Sequence, residues 1–241
     1  MFELGLPLAA ILQPQELVAL IGHELGHLAA GDPQRHWLIG SIVAALANWY
    51  DALHPKSLWA SRPSFIETVY AFFANIVLVA LAGLIWPALW ALSLLLWRES
   101  QRAEYRADQI AATLAGRTAV ASLLRKLGRA DQIHEVVKAR ALASRLREGA
   151  RDLITHIGDL DWRVPDGPPS EAEAGYVADC DIQADASHPP LAYRLDLLYR
   201  QAQTGAELTL TRAEFDAIQA EIHFEAPRIE AQLIDRYLSR I

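Results

Sequence analysis

Cysteine occurs once in the 241 residues, at Cys180, and a single thiol cannot form an internal disulfide. No covalent framework holds this chain, and a reducing compartment suits it. Basic residues are also outnumbered: 22 Lys and Arg stand against 29 Asp and Glu, giving a net charge of −7. With no basic stripe to offset that balance, nucleic acid is excluded as a partner. The first residues hold neither a basic stretch nor an apolar run ending in a small-residue cleavage site, so no signal peptide is read there. Charge of either sign is thin at 21%, and it is missing altogether between Val69 and Trp97. As a helix that uncharged run would extend roughly 43 Å, beyond the ~30 Å of a bilayer's hydrocarbon core. Such a run predicts membrane insertion.

What is present is patterned for helix. Pro14 suits a first turn, Glu16 complements the dipole, and Gly31 with Pro33 provides a stop, so a helix is expected from Pro14 to about Ala30. Trp37 to Tyr50 is a second apolar segment, ~21 Å as a helix and short for a span. A polar connector, Asp51 to Ser64, leads into the long apolar run, where Gly83 and Pro87 predict a kink or break. Past Trp97 the sequence turns polar with no breaker, and the helix is expected to continue to about Leu114, stopping near Gly116. Helices are predicted over 117–128 and 131–156, and from Pro189-Pro190 to about 203. A short helix should open at the capping box Thr211-Arg-Ala-Glu214, followed by an amphipathic one over 226–240. Residues 158–190 hold five prolines together with glycines and acids, and read as a long loop whose composition fits a flexible linker. There is no internal repeat. The content is all-α, or nearly so.

The chemistry is concentrated in three places. His23-Glu24-Leu25-Gly26-His27 puts two imidazoles one turn apart on a helix face, where both can ligate one Zn²⁺ beside the intervening Glu24. Chance supplies roughly 0.02 such matches at this composition. The flanking Leu20, Ile21, Leu25 and Leu28 are expected to bury that helix. A catalytic zinc needs a third protein ligand, and Glu104, in Glu104-Tyr-Arg-Ala-Asp108, is the best candidate. Glu104 and Asp108 share a face, so one acid can bind metal while the other accepts the ring N–H of a ligating histidine. Third, Ser187-His188-Pro189-Pro190 precedes a helix carrying Arg194, and His188 and Arg194 are candidate donors to an oxyanion. His36, His54, His134, His156 and His223 have no partner at ligand spacing and read as structural.

These motifs, in this order, resemble the membrane zinc metallopeptidase family that includes the CAAX prenyl endopeptidases and the HtpX heat-shock peptidases. The likeness covers about residues 3–200. It rests on Leu-Gly-Leu-Pro-Leu with Gln-Glu-Leu before the His-Glu motif, on Glu-Tyr-Arg-Ala-Asp after the apolar insertion, and on Ser-His-Pro-Pro-Leu-Ala-Tyr-Arg-Leu. The resemblance implies a zincin-like helical peptidase domain with an inserted apolar, transmembrane hairpin. It implies one zinc per chain on His23, His27 and Glu104, with Glu24 as general base and Asp108 orienting a ligand. His188 and Arg194 would then contact substrate or transition state. The family pattern also has upstream transmembrane helices and a strand that pairs with the substrate backbone. This chain has 22 residues before His23 and departs from the pattern there.

The expected organisation is a zinc-helix region over 1–36, an apolar hairpin over 37–97, and the remainder of the peptidase domain over 98–241. The expected function is zinc-dependent endopeptidase action on membrane-associated or misfolded proteins, with a polypeptide substrate and the lipid bilayer as partners. If His23, His27 and Glu104 bind one ion, the intervening chain crosses the membrane an even number of times, and two crossings are favoured over a re-entrant hairpin broken near Gly83-Pro87. Arg98, Arg102 and Arg106 crowd the catalytic side, which points it to the cytoplasm of a bacterial inner membrane. Two alternatives stay open: a zinc-binding relative without catalysis that acts as a scaffold, and a helical membrane protein without metal.

Overall fold

The computed structural model describes residues 5–53, 65–145, 153–174, 188–202 and 205–239. Cys180, Ser187 and the connector from His54 to Ser64 lie outside them. Every regular element among the described residues is a helix. The fold is all-α, as the sequence pattern predicts.

The chain forms two compact units. One comprises Met1–His27, Glu104–Gln183 and Pro189–Ile241; the other comprises Leu28–Ala103 and Ala184–His188. In the first unit a short helix α1 (Leu6–Ala9) leads to α2 (Pro14–Ala29). Pro14 opens α2 because its missing N–H is one the first turn cannot use. Glu16 does more than complement the dipole: its carboxylate accepts the Gln13 N–H at 2.7 Å and closes the N-terminal turn. Helix α4 (Phe65–Ala115) brings its last turns into this unit and ends at Gly116, whose φ of 88° suits glycine. Then follow α5 (Arg117–Leu127), α6 (Ala130–Arg145), α7 (Leu153–Gly158), α8 (Leu191–Arg200) and α9 (Arg212–Leu238). The main core packs Leu17 and Leu20 of α2, Ala111 and Ala115 of α4, Val120, Leu123 and Leu124 of α5, Leu195 and Leu198 of α8, and Phe215 of α9.

Of the helix expected over 131–156, the described parts are α6, to Arg145, and α7, from Leu153; 146–152 lie outside the described residues. Two expectations need correcting in this unit. The two C-terminal helices are one: α9 runs 27 residues with Pro227 inside it. Its capping box is formed, the Thr211 N–H donating to Glu214 at 2.9 Å and the Glu214 N–H to Thr211 Oγ1 at 3.3 Å. The described part of the proline-rich loop is anchored rather than free. Buried Arg125 donates to Glu173 at 2.8 Å and to the Gly167 carbonyl at 3.1 Å, while the Tyr199 hydroxyl donates to Asp166 at 2.6 Å. Ser170 and Glu173 exchange backbone-to-side-chain bonds in a capping box of their own.

In the second unit, Gly31 turns the chain with φ 68° into α3 (Asp32–Leu53). At 22 residues α3 is about 33 Å long, longer than its apolar run alone suggested. Here α4 presents Tyr70, Phe72, Phe73, Leu84, Trp86 and Trp90 outward. Only 6% of its most apolar window is buried, and by length and composition this helix can cross a membrane. The break expected at Gly83-Pro87 does not occur, because α4 passes through Pro87 uninterrupted. A proline inside a helix collides with the carbonyl four residues back. Here that residue is Gly83, whose backbone has the most freedom to give way.

Candidate metal centre

The spacing His23–His27 places both imidazoles on one face of α2, with rings edge to face and centroids 4.8 Å apart. Their Nε2 atoms are 3.2 Å apart. Glu104 of α4 completes the group: Oε2 lies 3.6 Å from His23 Nε2, and Oε1 lies 3.4 Å from His27 Nε2. Zinc-to-ligand bonds of roughly 2.0–2.1 Å at tetrahedral angles put neighbouring donors about 3.3 Å apart. The three observed separations, from His23 to one Glu104 oxygen, from His27 to the other and between the imidazoles, lie near that value, so the group has the spacing of a metal site. The donor set fits a divalent cation of zinc's kind, with the fourth corner left for another group. Among the described residues, this is the one cluster of three or more potential ligands found.

A second layer holds the first in place. His23 Nδ1 lies 3.1 Å from Asp108 Oδ1, so the ring proton sits between them and the Nε2 lone pair faces the centre. Asp108, 1% exposed, is gripped by Arg194 of α8: Nε donates to Oδ2 at 2.7 Å and Nη2 to Oδ1 at 2.6 Å. The same Nη2 is 3.3 Å from Glu104 Oε2. Burial opposes the charge of Arg194, but the Asp108 hydrogen bonds and the two carboxylate charges outweigh it and hold the guanidinium above its ordinary pKa. The chain His23–Asp108–Arg194–Glu104 therefore links two candidate ligands through one arginine.

The sequence-predicted residues are thus placed as follows. His23, His27, Glu104, Asp108 and Arg194 converge. Glu24 is half-buried, one residue, or 100°, further round α2 from His23. His188 is exposed, in the bend just before Pro189. Arg194 is buried and pairs with Asp108 and Glu104. The expected burial of α2 by its flanking leucines is overturned in part. Leu20 is buried, but Ile21, Leu25 and Leu28 are 41%, 50% and 60% exposed. The face of α2 that meets α4 is instead its glycine face, with Gly22 against Ala111 and Gly26 against Ala107. His134, His156 and His223 are exposed, and His54 lies outside the described residues.

Sequence reading missed one buried group close by. Lys126 of α5 donates to Glu16 Oε2 and to the Ile11 carbonyl, both at 2.7 Å, and Ser122 donates to Glu16 Oε1. A helix-start Glu was the visible half of that pair; nothing local marked Lys126, 110 residues away.

A family model for Peptidase family M48 matches residues 6–202. The chain belongs to that family. It is 31% identical over 146 residues to the Protease HtpX of Psychrobacter sp. (strain PRwf-1), covering 57% of this chain and 46% of that protein. With the Protease HtpX of Stutzerimonas stutzeri (strain A1501) it shares 30% identity over 165 residues, 63% of this chain and 52% of the relative. The Protease HtpX of Acinetobacter baylyi is 29% identical over 146 residues, again 57% and 46%. The aligned part spans about half the length of these curated relatives. No solved structure matches this chain.

Proposed function

We propose that this chain is a zinc-dependent endopeptidase that cleaves membrane-associated or misfolded polypeptides. The observation that carries the reading is the convergence of His23, His27 and Glu104 at tetrahedral donor spacing, with Glu24 between the two histidines. Membership of a peptidase family supports it. His23, His27 and Glu104 would hold the ion, one per chain. When bound, zinc supplies Lewis-acid chemistry, acidifying water and polarising a carbonyl near neutral pH. Glu24 takes a proton from the attacking water and returns it to the leaving amine. Asp108 keeps the His23 proton on Nδ1, and Arg194 holds Asp108 and Glu104 in register. His188 is the residue assigned to steady the oxyanion. Glu24→Gln should retain zinc and lose peptide cleavage in the purified chain; turnover surviving in that variant, with contaminating protease excluded, refutes the assignment.

The membrane reading rests on α4, whose exposed apolar surface needs a non-aqueous surrounding. His27 and Glu104 share one centre, so the segment between them leaves and returns on the same side. The reading favours two crossings, α3 and α4, a bacterial inner membrane, and a cytoplasmic metal centre. The domain organisation proposed from sequence, with boundaries at 36/37 and 97/98, goes with it. A cysteine placed between residues 54 and 62 should react with an impermeant reagent applied from outside; labelling solely from the cytoplasm refutes the topology.

A further inference from the structure

The geometry points to Gly26 as a positioning residue: its missing side chain sets the distance between α2 and α4 at which three donors can share one metal ion. The inference rests on the proposed metal reading and adds to it the element that fixes ligand spacing. The two histidines belong to α2 and the carboxylate to α4, so nothing covalent and local sets the gap between them. Helices that carry ordinary side chains at their contact pack with axes 8–10 Å apart. Here the contact is stripped of side chains. Gly22 and Gly26 lie one turn apart on α2, facing Ala107 and Ala111, which are fully buried one turn apart on α4.

The tolerance at Gly26 is small. A Cβ there would stand 2.9 Å from Ala107 Cα and 3.3 Å from Ala107 Cβ. Carbon atoms rest at about 3.5–4.0 Å, so α2 and α4 would have to part by roughly 0.6–1 Å. The nearest obstacle is backbone, which no rotamer change can move away. Ala107 is three residues from Glu104 and next to Asp108, and Gly26 adjoins His27. Any parting at this contact therefore acts on the donor separations of 3.4 and 3.6 Å, moving them further from the tetrahedral edge. At Gly22 the demand is milder: a Cβ meets the movable Leu114 Cδ1 at 3.1 Å and Ala111 Cα at 3.2 Å. Gly5, in the same unit, has open space around it and serves as the control.

The test compares Gly26→Ala, Gly22→Ala and Gly5→Ala in the full chain, purified in detergent and stripped with a chelator. Zinc affinity is read by competition with a chromophoric chelator, and coordination by the visible absorption of the Co²⁺ form. Wild type and Gly5→Ala should bind one ion and give the intense bands of tetrahedral Co²⁺. Gly22→Ala should bind zinc about tenfold more weakly and Gly26→Ala about a hundredfold, with the Co²⁺ bands fading in the same order. Helical circular dichroism of the apo-proteins should be unchanged, since alanine is the better helix former. Gly26→Ala binding zinc as tightly as wild type overturns the inference alone. So does a variant that loses thermal stability while its folded fraction keeps the wild-type Co²⁺ spectrum, the mark of a merely structural spacer. If Gly26→Ala does not fold, unchanged affinity in Gly22→Ala overturns it. A wild-type chain that binds no metal overturns the metal reading and this inference with it.

Discussion

Replacing Arg194 with methionine distinguishes a clamp on the carboxylates from a donor to an oxyanion. The guanidinium is 8% exposed and makes two hydrogen bonds to Asp108, itself 1% exposed. Arg194→Met keeps the apolar stem but leaves the Asp108 carboxylate buried without its counter-charge. Breaking a buried ion pair from one side costs about 3–5 kcal/mol, because the remaining charge stays buried without its counter-charge; Asp108 keeps the His23 contact, which places the loss at the lower end. Urea unfolding followed by tryptophan fluorescence, in micelles with chelator present, reads that loss without any contribution from metal binding. A second substitution, Asp108→Asn, removes the stranded charge. The double variant should therefore be less damaged than the sum of the single ones, by about 1–3 kcal/mol. An oxyanion donor would behave differently, lowering turnover by about 10²–10³ with the fold intact. Arg194→Met within about 1 kcal/mol of wild-type stability would refute the clamp.

Two further perturbations concern ion pairs that take no part in the metal centre. Lys126→Met strands the Glu16 carboxylate, which is 4% exposed, and should cost about 3–5 kcal/mol in the same unfolding assay; Glu16→Gln added to it should recover part of the loss. Glu173 is held below its ordinary pKa of 4.5, first by the Arg125 hydrogen bond, so the folded chain favours its ionised form. Its contribution is then complete above pH 4.5 and lost as the pH falls through the depressed folded value. The melting-temperature gap between wild type and Glu173→Gln should hold steady above that pH and close below it. A gap that widens on acidification would contradict the sign.

Much of the site was legible because its chemistry is local. His23 with His27, and Glu104 with Asp108, are each one helical turn apart, and periodicity alone puts each pair on a face. The glycine and proline stops around Gly31 and Gly116 were legible for the same reason: a positive φ is a property of one residue. Pairings across large separations were not. Lys126 meets Glu16 and Arg125 meets Glu173 through the tertiary fold, and neither cation announces its burial in sequence. The burial of α2 was misjudged because hydrophobicity was taken as the sign of contact. Leu17 and Leu20 are buried as hydrophobicity suggests, but the contact with α4 is made by Gly22 and Gly26, where close approach counts for more than apolar area. Pro87 misled for a different reason: it removes one hydrogen bond, and the turns on either side still hold the helix.

The ion pair between Asp108 and Arg194 also orders events during synthesis. Arg194 lies 86 residues downstream of Asp108, on a helix made after both histidines and both acids. A nascent chain that has made both histidines and both acids still lacks the cation that keeps Asp108 and Glu104 together inside the protein. The full residue set of the proposed centre is therefore present only after α8 has been made.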